Sequence, residues 1–134
     1  MPVCRKSKRN KHYREQYMRA FPPVGGKCRC VYCGRWIPAG KIEVDHVIPV
    51  HKCAESLLVR MFLCDFKDVN DKRNLRYACA ECNAKKGASL NVVWKYRAAV
   101  GMSRTYWVMR AVLRAGIRIA FVFLTLYISI PHVR

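Results

Sequence analysis

Short amphipathic and apolar segments alternate with turn-forming residues along the chain. A basic stretch from about His12 to Ala20 carries apolar side chains at helical spacing, and prolines and glycines at residues 22–26 end it. Two β-favouring runs, Arg35–Ile37 and Lys41–Val44, flank the turn Pro38–Gly40, and this order predicts a short hairpin. A helical segment mixed with short strands predicts an α+β fold.

Two further helices are expected in the middle of the chain. The apolar run Leu57–Leu63 predicts a short helix packed over the core. Good helix formers continue through Lys86 and are followed by Gly87, which predicts a second helix that ends there.

The chain becomes strongly apolar after Asn91. Residues Ile119–Ile130 are apolar apart from Thr125 and Ser129, and this run is shorter than the roughly 20 residues of a membrane span. Three arginines at a four-residue spacing precede it and would share one helix face: Arg110, Arg114 and Arg118. We expect residues 111–130 to form a helix packed on the domain or on a partner. Membrane attachment, with the arginines at lipid headgroups, stays open.

The size of the chain restricts the number of domains. A chain of 134 residues with 52% hydrophobic residues is long enough for one compact domain and too short for two. We expect that domain at residues 27–91. A basic N-terminal arm would occupy residues 1–26, and a basic and apolar tail, expected to be helical, would occupy residues 92–134.

The charge indicates a polyanionic partner. The chain has 26 Lys and Arg against 8 Asp and Glu, a formal net charge of +18, and every acidic residue lies between Glu15 and Glu81. Both ends are therefore cationic, which is typical of arms that contact a nucleic-acid backbone, although anionic lipid stays open by charge alone. The basic residues 1–20 contain no apolar stretch of the kind found in export signals, so a cytoplasmic protein with reduced cysteines is expected.

Two C-x-x-C units predict a metal site. Four thiolates in two such turns match a tetrahedral zinc site that would hold distant parts of a small chain together: Cys30, Cys33, Cys79 and Cys82. Cys28 could in principle replace Cys30, but only Cys30 has the usual spacing to Cys33. The remaining cysteines have no such spacing and are expected to be ordinary buried or surface residues: Cys4, Cys53 and Cys64.

Candidate catalytic residues lie between and beside the cysteine pairs. An acid and a base are adjacent in Asp45-His46, which Pro49 follows, and Asn74-Leu75 comes later in the chain. Asn83 and a Lys-Lys-Gly sequence follow the second cysteine pair. The order C-x-x-C-G, D-H with a proline, N-L and C-x-x-C-N-x-x-K-G resembles the HNH endonuclease family, in the variant whose last histidine is asparagine. The resemblance covers residues 30–87.

The resemblance implies a ββα-metal, or His-Me finger, fold and a metal-dependent phosphodiester hydrolase. His46 would be the general base, and the side-chain carbonyl of Asn74 would orient its imidazole. Asp45 and Asn83 would bind the catalytic cation. These oxygen ligands favour magnesium or manganese, whereas the sulfur site favours zinc.

The substrate expected from this resemblance is nucleic acid, most simply double-stranded DNA. Lys85 and Lys86 would contact the scissile phosphate, although a solvated helix end is an equally good interpretation of two lysines at this position. Two other functions stay open. One is a zinc-stabilised nucleic-acid-binding module without catalysis, and the other is a membrane-associated nuclease effector that acts through the apolar tail.

Overall fold

The computed structural model describes residues 10–129. It contains five α-helices and four strands: α1 (Tyr13–Ala20), β1 (Lys27–Arg29), β2 (Trp36–Pro38), β3 (Glu43–His46), α2 (Val50–Glu55), β4 (Leu75–Ala78), α3 (Ala80–Lys86), α4 (Val92–Val100) and α5 (Arg104–Ser129). A π-helical turn (Val59–Leu63) and a 3-10 turn (Lys72–Asn74) lie between α2 and β4. This content confirms a mixed α+β fold.

The strands form two separate antiparallel pairs. In one sheet β1 pairs with β2, with Cys28 opposite Ile37, and in the other β3 pairs with β4, with Glu43 opposite Ala78 and His46 opposite Leu75. The predicted hairpin between residues 35–37 and 41–44 is therefore wrong. The Pro38 carbonyl accepts hydrogen bonds from the amides of the next turn, which redirects the chain into a different sheet. The partner of β3 lies about thirty residues downstream, and local periodicity does not indicate such a pairing.

Helix α1 is part of the core rather than a free arm. Tyr17 is buried, and its ring packs edge-on against Tyr77 of β4 with ring centroids 5.0 Å apart. The pair lies in a cluster that includes Cys28 and Val44. The predicted helix at His12–Ala20 is confirmed at Tyr13–Ala20. The predicted basic arm is thus folded from Tyr13 onward, and residues 1–9 lie outside the described part of the chain.

The connection between β3 and β4 has its own small core. Cys53, Cys64, Phe66 and Val69 are buried together. The helix predicted at Leu57–Leu63 is present, with its last five residues in a π-helical turn. It packs on this cluster through Val59 and Leu63, whereas Phe62 on its other side is 73% exposed.

Helix α4 belongs to the main folded unit, although the sequence placed it in the tail. Ala98 is buried against the cysteine-rich cluster, and Trp94 packs edge-on against Tyr32 with centroids 5.1 Å apart. The chain divides into one unit ending at Met102 and a second beginning at Ser103. The boundary therefore lies about ten residues after the predicted one.

Helix α5 makes up the described part of the second unit. None of its described residues is buried. Within residues 10–129, α5 is the helix that is long and apolar enough to cross a membrane.

Gly101, directly after α4, is required by a close backbone approach. A Cβ atom at this position would lie 2.0 Å from the carbonyl oxygen of Val31, and a backbone atom cannot move aside as a flexible side chain can. We expect Gly101→Ala to lower the free energy of unfolding by about 1–3 kcal/mol, as overpacking generally does. Gly40→Ala is the matched control, since no atom lies within 4 Å of its Cβ position. Equal denaturation midpoints for the two variants would contradict this prediction.

Candidate metal centre and adjoining cleft

Four cysteine sulfurs converge where the loop after β1 meets the start of α3. The Sγ atoms of Cys30, Cys33, Cys79 and Cys82 all lie within 4.8 Å of one another. Such a group can hold a metal ion, and an all-sulfur donor set favours zinc. The sequence prediction of this cluster is confirmed. Cys28 does not join it and instead lies in the core beneath α1.

Each cysteine pair lies in a turn that directs two sulfurs to one side. In the first turn the amide of Gly34 donates to the Cys30 carbonyl at 2.8 Å, and Gly34 has a φ of 83°, a conformation that glycine adopts readily. In the second turn Cys79 is the N-cap of α3, and its sulfur accepts from the amide of Cys82 at 3.4 Å. In each pair, two intervening residues therefore place both cysteine sulfurs on the side of the turn that faces the cluster.

Arg35 lies over the cluster and stabilises its negative charge. Its guanidinium donates to the sulfurs of Cys33 and Cys79, both at 3.4 Å, and it also pairs with the carboxylate of Glu81. Burial acts to raise the pKa of Cys33, but hydrogen bonds from the backbone and side chain of Arg35 outweigh it and bring that pKa to about 7. Burial raises the pKa of Cys30 to about 11. A bound cation would be needed to hold all four as thiolates at neutral pH.

An open cleft of about 1140 Å³ lies between β3, α1, α2 and α3. Strand β3 contributes in two directions because successive side chains of a strand point to opposite faces. Glu43 and Asp45 reach side chains of α3, whereas His46 contacts the ring of Tyr13 on α1. The cleft is lined by ionisable and polar side chains from all four elements: Tyr13, Arg14, Glu43, Asp45, His46, His51, Asn83 and Lys86.

Asp45 is buried and hydrogen-bonded through both carboxylate oxygens. Oδ1 lies 3.0 Å from Nζ of Lys86, and Oδ2 accepts the hydroxyl of Tyr32. Burial, followed by the charge of Asp45 and this hydrogen bond, raises the pKa of Tyr32 far above its ordinary value, so the hydroxyl stays protonated and keeps donating. Tyr32 is a site neighbour that the sequence reasoning missed.

Lys86 is an internal cation, not a surface group. Its side chain is 1% exposed, and Nζ bonds both Asp45 and the backbone carbonyl of His46, the latter at 2.8 Å. The prediction that Lys86 contacts the phosphate is therefore wrong, because its side chain points toward β3 rather than toward solvent. Lys85 is exposed, and its ammonium group lies 2.8 Å from Oε1 of Glu81.

Asn74 also has a role different from the predicted one. Its side-chain carbonyl accepts from the amide of Ile48 at 2.8 Å, and its amide donates to the carbonyls of Ile48 and Val69. The described contacts of Asn74 thus join two ends of the connection between β3 and β4, rather than orienting the imidazole.

The imidazole of His46 instead contacts Asn70 and Tyr13. Nε2 lies 3.3 Å from Oδ1 of Asn70, and the ring centroids of His46 and Tyr13 are 4.8 Å apart. Since an amide oxygen only accepts, Nε2 is the donor in this contact. The run Asp68–Asp71 is typical of a turn, but no signal in the sequence indicates that this turn reaches His46.

Asn83 donates from its side-chain amide to Glu43. This contact brings α3 and β3 together on the cleft side and adds Glu43, which the sequence reasoning missed. The signal was available, because Glu43 lies two positions before Asp45 and therefore on the same face of the strand. No protein-family model, curated protein or solved structure matches the chain.

The sulfur cluster predicts tight zinc binding. We expect the purified chain to hold about one zinc ion, and we expect Cys79→Ser or Cys82→Ser to lose the metal and the folded state together, because a structural zinc contributes directly to folding. Metal analysis and circular dichroism measure the two effects. Cys53→Ser is the matched control, since Cys53 is buried outside the cluster. A folded parent without bound metal would contradict the prediction.

The contacts of Asn74 predict a structural role. Asn74→Ala would leave backbone groups of Ile48 and Val69 without their buried partners, so we expect the free energy of unfolding to fall by about 3 kcal/mol. Asn91→Ala is the control, because Asn91 caps α4 at an exposed position and its loss should cost only about 1 kcal/mol. Chemical denaturation that finds the same loss for both variants would refute this role.

Proposed function

We propose that the chain is a metal-dependent endonuclease of the HNH type. One observation carries this proposal: Asn83 of α3 lines one open cleft together with Asp45 and His46 of β3, residues that the sequence motif singles out, although 36 residues separate His46 from Asn83. Strands β3 and β4 followed by α3 also give the β-β-α order that the family resemblance implies. The sulfur cluster at the start of α3 would fix this helix against β3.

His46 is the residue suited to activate water. Its imidazole lines the cleft and is oriented by Asn70 through Nε2, and an imidazole so placed is suited to accept a proton from an attacking water. The ring of Tyr13 on one side restricts rotation of the imidazole. Asn70 and Tyr13 therefore act as positioning residues for the base.

The oxygen atoms along the cleft fit a hard divalent cation. Carboxylates from Glu43 and Asp45 and the carbonyl of Asn83 are the ligand types that magnesium and manganese prefer. Because Asn83 donates to Glu43 through its amide nitrogen, its carbonyl oxygen remains the donor for a cation. A bound magnesium or manganese ion would supply charge stabilisation at the phosphate and the leaving oxygen.

Charge supports a nucleic-acid substrate, for which we propose double-stranded DNA and a cytoplasmic location. Arg14 lies at the cleft, and the chain as a whole has a net charge of +18. Neutralisation of backbone phosphates by such groups gives affinity without base readout. Lys85, exposed at the end of α3 and paired with Glu81, is the lysine of the pair that remains a candidate phosphate contact.

The Lys86–Asp45 ion pair favours a second candidate function. The buried ammonium group of Lys86 neutralises the carboxylate of Asp45. Such a pairing is also found where a buried acid has only a structural role and binds no metal. The chain would then be a zinc-stabilised nucleic-acid-binding module without catalysis. The two candidates differ in whether His46 performs chemistry, so the experiment must separate binding from cleavage.

We expect His46→Ala to abolish plasmid cleavage in magnesium or manganese, since general-base help is worth about a hundredfold to ten-thousandfold in rate. DNA binding should survive, and it should weaken with salt equally in variant and parent. His51→Ala is the matched control, because His51 lines the same cleft but lies outside the motif. The readouts are gel-based nicking rates and binding curves measured without a catalytic metal.

Two outcomes would contradict the nuclease. One is a purified parent that binds DNA but cleaves neither DNA nor RNA with any divalent metal, in which case the binding module is the better account. The other is equal loss of cleavage in His46→Ala and His51→Ala, which would remove His46 from its specific role.

A further inference from the structure

After Arg118, helix α5 presents apolar side chains around its whole circumference, whereas Arg110, Arg114 and Arg118 share one face of its earlier part. Between Val108 and Ile128 its large apolar residues are each more than half exposed. Successive helical residues are about 100° apart, so the consecutive apolar residues of 121–124 and 126–128 point in all directions. A partner surface on one side would cover only part of them. A helix that is apolar all round is suited to a surrounding apolar medium.

The length of α5 matches a lipid bilayer. Its 26 residues extend about 39 Å, more than the roughly 30 Å of a hydrocarbon core. An 18-residue window within it has a mean hydropathy of 1.8 and at most two charged residues. The aliphatic hydroxyl groups in its second half, those of Thr125 and Ser129, are satisfied within the helix. Thr125 donates to the carbonyl of Val122, and Ser129 donates to that of Thr125, both at 2.8 Å.

The charged residues of α5 lie in its first fifteen positions. Four arginines and no acidic residue occur in α5: Arg104, Arg110, Arg114 and Arg118. Arg104 and Arg110 complement an anionic surface at the N-terminal end of the helix. Arg114 and Arg118 lie inside the apolar part, where each charge opposes insertion, and their long side chains lean toward that same N-terminal end.

Aromatic residues mark the same end. Tyr106 and Trp107 precede the apolar part, and Arg110 joins them. Its guanidinium donates to the Tyr106 hydroxyl at 3.0 Å and lies 5.5 Å from the Trp107 ring. Tyrosine and tryptophan concentrate where hydrocarbon meets headgroups, because each has an apolar ring and a polar group.

We infer that α5 crosses a lipid bilayer once, with its arginine-bearing end at an anionic cytoplasmic leaflet. The basic chain that precedes Arg104 remains on that cytoplasmic side, as the concentration of positive charge before the span favours. This inference is independent of the nuclease proposal. From the sequence we expected a helix packed on the domain or on a partner. In this inference lipid surrounds α5 instead.

The test compares two substitutions on opposite sides of α5 in the full chain. Val122→Asp and Leu124→Asp are about 200° apart around the helix, and each places a charge within the proposed span. We expect both to reduce membrane insertion about a hundredfold, as a charge near the middle of a span does. Val92→Asp is the matched control, an exposed apolar residue of α4. The readout is the fraction that stays in the membrane pellet after alkaline carbonate extraction of expressing cells.

The expected result is a carbonate-resistant parent and control, with both α5 variants released. Zinc content measured on each detergent-solubilised protein should be unchanged, which shows that the folded unit before Ser103 is intact. Release of the parent by high salt would mean surface binding to anionic lipid and would overturn the span. A soluble parent, or a defined oligomer disrupted by only one of the two α5 substitutions, would overturn it in favour of a second copy of the chain.

Discussion

The position of α3 against β3 is the constraint on which the remaining features depend. Two interactions fix it, one at each end of the helix. At the first turn Cys79 and Cys82 join Cys30 and Cys33 in the sulfur cluster, and at the last turn Lys86 forms its buried ion pair with Asp45. Each interaction links α3 to a part of the chain more than thirty residues earlier.

The cleft follows from this placement. Once α3 is fixed, Asn83 in its middle lies beside Glu43, and the same face of β3 presents Asp45. The opposite face presents His46 to α1 and to the turn at Asn70. Asn70, in the connection between β3 and β4, reaches His46 because Asn74 hydrogen-bonds both Ile48 and Val69 and so fixes the two ends of that connection. Structural and candidate catalytic residues thus depend on the same few contacts.

The metal centre could be predicted from sequence because its geometry is local. Two intervening residues place two sulfurs on one side of a turn, and this spacing identified the four cysteines and favoured Cys30 over Cys28. Helices α1 and α3 were predictable for a similar reason, since periodicity and Gly87 mark their extents. The membrane-length helix was visible as an apolar run, but the sequence favoured packing on protein.

The features that sequence reasoning missed depend on contacts between distant residues. The partner of β3 lies across a long connection, so its pairing left no periodic signal in either strand. The roles of Asn74 and Lys86 were misassigned because a motif gives residue order but not the direction of a side chain. Glu43 is the exception, because strand alternation alone places it beside Asp45.

The central claim is that the cleft holds a second metal ion of a different kind from the one at the sulfur cluster. Anomalous X-ray diffraction from crystals of the full chain grown with manganese tests this most directly. The account predicts a zinc signal among the four cysteine sulfurs and a separate manganese signal bonded by at least two of Glu43, Asp45 and Asn83. A zinc signal alone, with Lys86 still paired to Asp45 at saturating manganese, would contradict it.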